Sequence, residues 1–164
     1  MLGELHTAEV HASRCTELYP RHARAHSLLA AVAMARADWS AAERRLMAAT
    51  QASWRGDFVA EAATWANLAT ARLQLGLASE ALAAADESLA RWAYYANGWR
   101  VKGSAHAALA LQLAIRGEAS ARESERRAFE RQAERHRSLS RRAGQAASRL
   151  RSTEPAPTGR EAQP

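Results

Sequence analysis

Three times along the chain a large ring is followed, three or four residues later, by a large side chain and then a small one. The segments are His26-Ser27-Leu28-Leu29-Ala30, Trp65-Ala66-Asn67-Leu68-Ala69 and Trp99-Arg100-Val101-Lys102-Gly103, and their starts lie 39 and then 34 residues apart. A recurrence at that interval constrains the fold more than any other feature of the sequence. A unit of this size cannot bury its own apolar face, so such units must stack on one another. After the first two segments the pattern continues in step. A turn falls at Ala37-Asp38-Trp39 and at Gly76-Leu77-Ala78, and a second segment opens at Ala41-Ala42 and at Glu80-Ala81.

The units are predicted to be helical. Apolar residues make up 48% of the chain. They are mostly Ala and Leu, which favour helices, and β-branched residues are few. Pro20, Gly56, Gly76, Gly98, Gly103 and Gly117 punctuate the sequence between Gly3 and Gly144. The helical spacing of apolar residues between them predicts seven helices, at about 2–18, 21–36, 40–53, 58–75, 79–92, 97–115 and 118–150. Short connections between such helices imply antiparallel neighbours. Residues 55–61 lengthen one connection and start the fourth helix early, with Asp57 as its N-cap. The last segment, 152–164, holds Pro155, Pro157, Gly159 and Pro164 and no large apolar residue. It is predicted to be disordered.

On these residues the chain resembles the tetratricopeptide-repeat family, whose helix–turn–helix unit of about 34 residues carries an aromatic, a Leu-Gly/Ala pair and a small residue opening the second helix. Trp65, Leu68, Ala69, Gly76, Ala81 and Ala85 fit one unit, and His26, Leu29, Ala30, Trp39, Ala42, Leu46 and Ala49 fit another. Pro20 is similar to the closing Pro of an earlier unit, and Trp99 and Gly103 open a third. The third departs from the pattern, because its first helix runs on to Gly117. The resemblance implies an all-α, right-handed stack of antiparallel helical hairpins, an α-solenoid. Its repeat domain spans 1–116, with a partial unit at 2–20 and units at about 21–54, 58–92 and 96–116 onward. A long basic C-terminal helix follows at 117–151.

The family's usual partner face is the concave one, lined by the first helix of each pair. By register that face carries Arg24 and Ser27, then Thr70 and Gln74, then Asn97, Arg100 and Ser104, with Asn67 beside it. The implied function is a non-catalytic scaffold or adaptor that binds a peptide or helix of another protein there. Some relatives grip a peptide's terminal carboxylate with Lys, Asn and Arg. Asn67 matches one of those places, but Ser27, Ala31, Asn97 and Val101 stand at others, so that clamp is not expected here.

Charge is unevenly placed. Residues 1–115 carry 11 basic and 10 acidic groups, whereas 116–151 carry 11 basic and 5 acidic, a net of +6. The 117–151 helix has three open readings: a solvated cap on the last hairpin, a partner or self-association surface, and a phosphate-contacting helix. Nucleic-acid or anionic-surface binding through it is the alternative function, disfavoured by its five acids and by the lack of interleaved aromatics. Pre-existing catalytic patterns are missing. There is no glycine-rich phosphate loop, no His-Glu-x-x-His run and no Gly-x-Ser-x-Gly elbow. Cys15 is single, which rules out an internal disulfide. No enzyme activity, cofactor or metal is therefore expected. His22 and His26 share a helix face, but two ligands do not complete a metal site. Trp92, Tyr94 and Tyr95 form either an exposed aromatic patch or a packed corner. No apolar run is long enough for a membrane span, and a cytoplasmic location is the default expectation.

Overall fold

The computed structural model describes residues 2–153. Residues 154–164, nearly all of the segment predicted to be disordered, lie outside them. The described residues form seven helices: α1 (Leu2–Leu18), α2 (Ala23–Ala35), α3 (Trp39–Thr50), α4 (Phe58–Gln74), α5 (Ala78–Arg91), α6 (Ala96–Ala119) and α7 (Glu123–Thr153). No strand occurs among them. Each helix packs against the next in the chain, and α4 also touches α6.

Local chemistry explains most of the boundaries. Asp38 and Asp57 cap α3 and α4, their Oδ1 atoms accepting from the Ala41 and Ala60 amides at 2.9 and 3.1 Å. Such caps satisfy N–H groups that the first helical turn leaves without partners. The ends of α2 and α4 share one motif. After α4, Gly76 N–H donates to Leu73 C=O and Leu77 N–H to Arg72 C=O, at 3.0 and 2.9 Å. After α2, Ala37 and Asp38 do the same toward Met34 and Ala33, at 3.0 and 2.9 Å. This terminating turn needs a residue at positive φ. Gly76 supplies it at φ 77, but Ala37 occupies the same position at φ 58. A Cβ in that conformation costs about 1–2 kcal/mol. Ala37→Gly is therefore expected to stabilise the chain by up to about 1 kcal/mol, after allowing for glycine's freer unfolded state. A lower melting temperature for this variant would disprove that account of the turn.

The ring landmarks also have a structural role. His26 Nε2 lies 2.8 Å from the Pro20 carbonyl oxygen, and Trp99 Nε1 donates to the Ala93 carbonyl at 2.8 Å. Both rings reach the carbonyl six residues upstream, in the connection before their helix. For Trp65 that residue is Val59, which already lies inside α4 because the helix starts early. Its carbonyl belongs to the helical ladder, and the buried Trp65 Nε1 has no hydrogen-bond partner. Instead, the Arg91 guanidinium sits over the Trp65 ring at 5.5 Å.

The core is built chiefly of alanine. Ala30, Ala42, Ala69, Ala71, Ala84 and Ala85 surround Leu46, Leu68 and Val101, which are the largest apolar side chains in full burial. Small residues at the crossings let helix axes approach to about 8–10 Å. Ion pairs then link successive elements at the surface: Arg36–Glu9 at 2.6 Å, Arg72–Glu43 at 3.1 Å, Arg91–Glu61 at 2.8 Å and Lys102–Asp86 at 2.7 Å. Solvent screening keeps the contribution of an exposed pair such as Arg36–Glu9 small.

The last two helices differ from expectation. Gly117 does not end α6, which continues to Ala119, and α7 begins at Glu123 rather than near 118. The length of the last helix suggests an arm overhanging shorter hairpins; α6, which has 24 residues and is longer than any earlier helix, runs beside most of the 31-residue α7. Phe129 lies against Gly117 near one end of α6. Arg151 shares a cavity with Tyr95, Ala96, Asn97 and Arg100 at the other. The two helices form one long antiparallel hairpin.

Candidate functional site

Close backbone approach between α6 and α7 creates the main groove of this hairpin. A Cβ on Gly103 would lie 3.3 Å from the Ser140 carbonyl oxygen and 3.4 Å from the Ala143 Cβ. At Gly117 it would lie 3.2 Å from the Phe129 Cβ. Glycine at both points lets the helices nearly touch. Ala133, Ala143 and Ala147 of α7 are buried in the same seam. With so little side-chain bulk between the helices, a shallow groove of about 810 Å³ opens along one side. Its floor is Gly103, Ser104 and Ala107 from α6 and Ser140, Gly144, Ala147 and Ser148 from α7, and its rim carries Arg100, Arg141, Arg149 and Arg151.

The groove continues at both ends. A cavity of about 340 Å³ shares Ala107, Ser140 and Arg141 with it, and adds Leu111, Ala114 and Arg137. The smaller one at the start of α6, about 220 Å³, shares Arg100 and Arg151 and adds Asn97. The surface thus runs from Arg151 to Leu111, where the arginines Arg137 and Arg141 stand beside an apolar side chain that is 62% exposed, with exposed Ile115 one turn on.

Its electrostatics are one-sided. Residues 135–152 contain six arginines and no acid. Arg149 and Arg151 have no acidic partner among the described residues. Arg141 and Arg137 share Glu134, at 3.0 and 3.3 Å. Their hydrogen bonds, that of Arg141 foremost, hold the Glu134 carboxyl below the ordinary range. Arg100 Nε donates to Asn97 Oδ1 at 2.8 Å, three residues back on the same helix.

Among the eight residues expected on the partner face, the structure brings Asn97, Arg100 and Ser104 together on this surface. Arg24 lies elsewhere. Its Nη2 pairs with Asp57 at 2.5 Å, beside a cavity of about 1030 Å³ lined by Tyr19, His22, Trp54 and Arg55 among others. Ser27 Oγ is 2.9 Å from Thr64 Oγ1 and joins α2 to α4. Asn67 and Thr70 are half-buried on α4, Thr70 donating to its own helix at the Ala66 carbonyl, and Gln74 is exposed. These three line neither of the two larger cavities.

The α7 half of the groove was not among the residues expected there. Two signals in the sequence point to it: a glycine inside each of the two helices, Gly103 and Gly144, and the acid-free arginine run. Elsewhere, His22 Nδ1 accepts from the Ala25 amide at 3.2 Å and caps α2, and His26 Nε2 meets the Pro20 carbonyl, while His26 Nδ1 is buried without a hydrogen-bond partner. Among the described residues no group of three or more His, Cys, Asp or Glu side chains could hold a metal ion. No described helix is long and apolar enough to cross a membrane. Trp92 and Tyr95 stack with ring centroids 6.0 Å apart, whereas Tyr94 is 72% exposed, so the aromatic cluster is partly a packed corner and partly open. Comparison of the chain with protein-family models, curated proteins and solved structures finds no match.

Proposed function

We propose that this chain is a non-catalytic, tetratricopeptide-like adaptor that receives an acidic, amphipathic segment of a partner protein in the α6–α7 groove. The observation that carries the reading is the surface itself. An arginine rim surrounds a floor of glycine, alanine and serine and leads to exposed Leu111. A helix or extended peptide can lie close to such a floor, its carboxylates meeting guanidinium groups and its apolar residues covering the Leu111 end. The preformed walls lower the ordering cost of binding. The tetratricopeptide part of the reading is supported by the repeated ring-to-carbonyl bond of His26 and Trp99 and by the matching ends of α2 and α4.

The acid-free run 135–152 favours a second reading, a nucleic acid or other anionic surface bound through phosphate contacts. One titration separates the two. A fluorescent amphipathic peptide of Glu and Leu, and a single-stranded oligonucleotide, are each titrated with the protein by anisotropy. Joint replacement Arg149→Glu and Arg151→Glu should weaken peptide binding by at least about tenfold, equivalent to 1.4 kcal/mol. Leu111→Ser should weaken peptide binding only. Equal affinity of the charge-reversed and native proteins for the peptide would refute the groove. A steep salt dependence for the oligonucleotide, with no measurable peptide binding, would establish the second reading in its place.

A further inference from the structure

His106 of α6 and His136 of α7 meet ring to ring. Their Nδ1 atoms are 2.9 Å apart and their ring centroids 5.2 Å, with the planes tilted by 40°. His106 is 5% exposed, and His136 is partly open to solvent. The contact is a side-chain bridge between α6 and α7. The seam around it is made chiefly of Gly103, Gly117 and alanines, which bury little area per contact, with Phe129 at one end. The polar bridge therefore matters more here than it would in a seam of leucines.

The bridge tolerates only some protonation states. With both rings neutral, one Nδ1 donates and the other accepts. With one ring charged, the charged ring donates. With both charged, two N–H groups face each other and no acceptor is left. We propose that the His106–His136 contact is an acid-sensitive clasp that holds α7 to α6 until both rings are protonated and then releases them.

The surroundings bias the clasp toward release in mild acid. Burial foremost, then the neighbouring His136, then Lys102 on α6 itself, push the His106 pKa below its ordinary 6.5, and Asp86 of α5 opposes them. Lys102 and Asp86 are themselves paired at 2.7 Å, which blunts both of their effects. A histidine whose folded pKa is depressed binds fewer protons folded than open. Its contribution is fully present above pH 6.5 and is lost as pH falls toward the depressed folded value. Each unit of depression is worth about tenfold in the opening equilibrium once the pH is below it. The consequence for partner binding rests on the proposed groove, since release of α7 would remove one of its walls. The clasp itself requires no partner.

Amide hydrogen exchange of the free protein, corrected for the intrinsic rate, tests this between pH 7.5 and 5.5. The expected result is a loss of protection in α7, while α4 and α5 stay protected. His136→Gln keeps a neutral hydrogen-bonding side chain and should flatten that pH profile while leaving helical content at pH 7.5 intact. His106→Gln is the second variant, should the first fail to fold. Flat α7 protection in the native protein, or the same acid profile in the native protein and a folded variant, would overturn the clasp. Either result would leave the anisotropy test of the groove unaffected.

Discussion

Leu68→Ala is expected to destabilise the chain by about 2–5 kcal/mol, the range for truncating a large buried aliphatic side chain. The expectation belongs toward the upper end. Leu68 is fully buried, and most of its cluster mates, Ala30, Ala42, Ala69, Ala71, Ala84 and Ala85, have no γ carbons to swing into the space left behind, which leaves only Leu46 and Val101 among the fully buried members to do so. A cavity that cannot collapse retains its full cost. Denaturant unfolding followed by circular dichroism checks this, with Leu28→Ala as the control, because Leu28 is 43% exposed on the neighbouring helix α2. Equal midpoint shifts for the two variants would show that the centre of the core has been misplaced.

Gly103→Leu is expected to cost about 1–3 kcal/mol, partly offset by about 1 kcal/mol of helix propensity. The first added carbon already crowds the Ser140 carbonyl, a backbone atom that cannot rotate aside. The rest of the side chain would have to enter the α6–α7 seam and part the helices. Gly144→Ala, on the facing helix, should have the opposite sign. Nothing lies within 4 Å of a Cβ there, so about 1 kcal/mol of helix propensity is gained without a clash. Thermal melts of both variants decide the matter. If Gly103→Leu raised the melting temperature, the helices would not be as close as described, and the shallow groove built on that closeness would be lost with it.

The sequence makes the helices and their order legible because each is announced locally. Apolar residues three and four apart, aspartate caps at Asp38 and Asp57 and a glycine at Gly76 act within a few residues of where they stand. Even the early start of α4, foreseen from the extra residues 55–61, depends on one cap. The positive φ of Ala37 was less accessible, because alanine gives no sign that it fills a glycine's place. The far end of the chain was harder still. Reading the last helix alone suggests an overhanging arm, since its length exceeds that of the earlier hairpins. What lies beside most of it is the 24-residue α6, which continues to Ala119, and that is a property of the pair. The candidate site shows the same division. Register alone placed Asn97, Arg100 and Ser104 on one face. Their companions Ser140, Arg141, Ser148, Arg149 and Arg151 lie more than thirty residues away and join them only through the α6–α7 pairing.

The pattern of helix contacts has a kinetic consequence. Every strong contact joins helices adjacent in the chain, except that between α4 and α6, which are next but one. No distant segments must find each other before the chain gains stability, so little loop-closure entropy opposes the first steps. Chains with such local contacts fold in about microseconds to milliseconds. The same locality means that α1 and α7, each flanked by the rest of the chain on one side, can leave without dismantling the middle. Unfolding should run inward from the ends, with α4 and α5 the last pair to separate. A destabilising change near either end will then shorten the lifetime of its own helix long before it alters the survival of the centre.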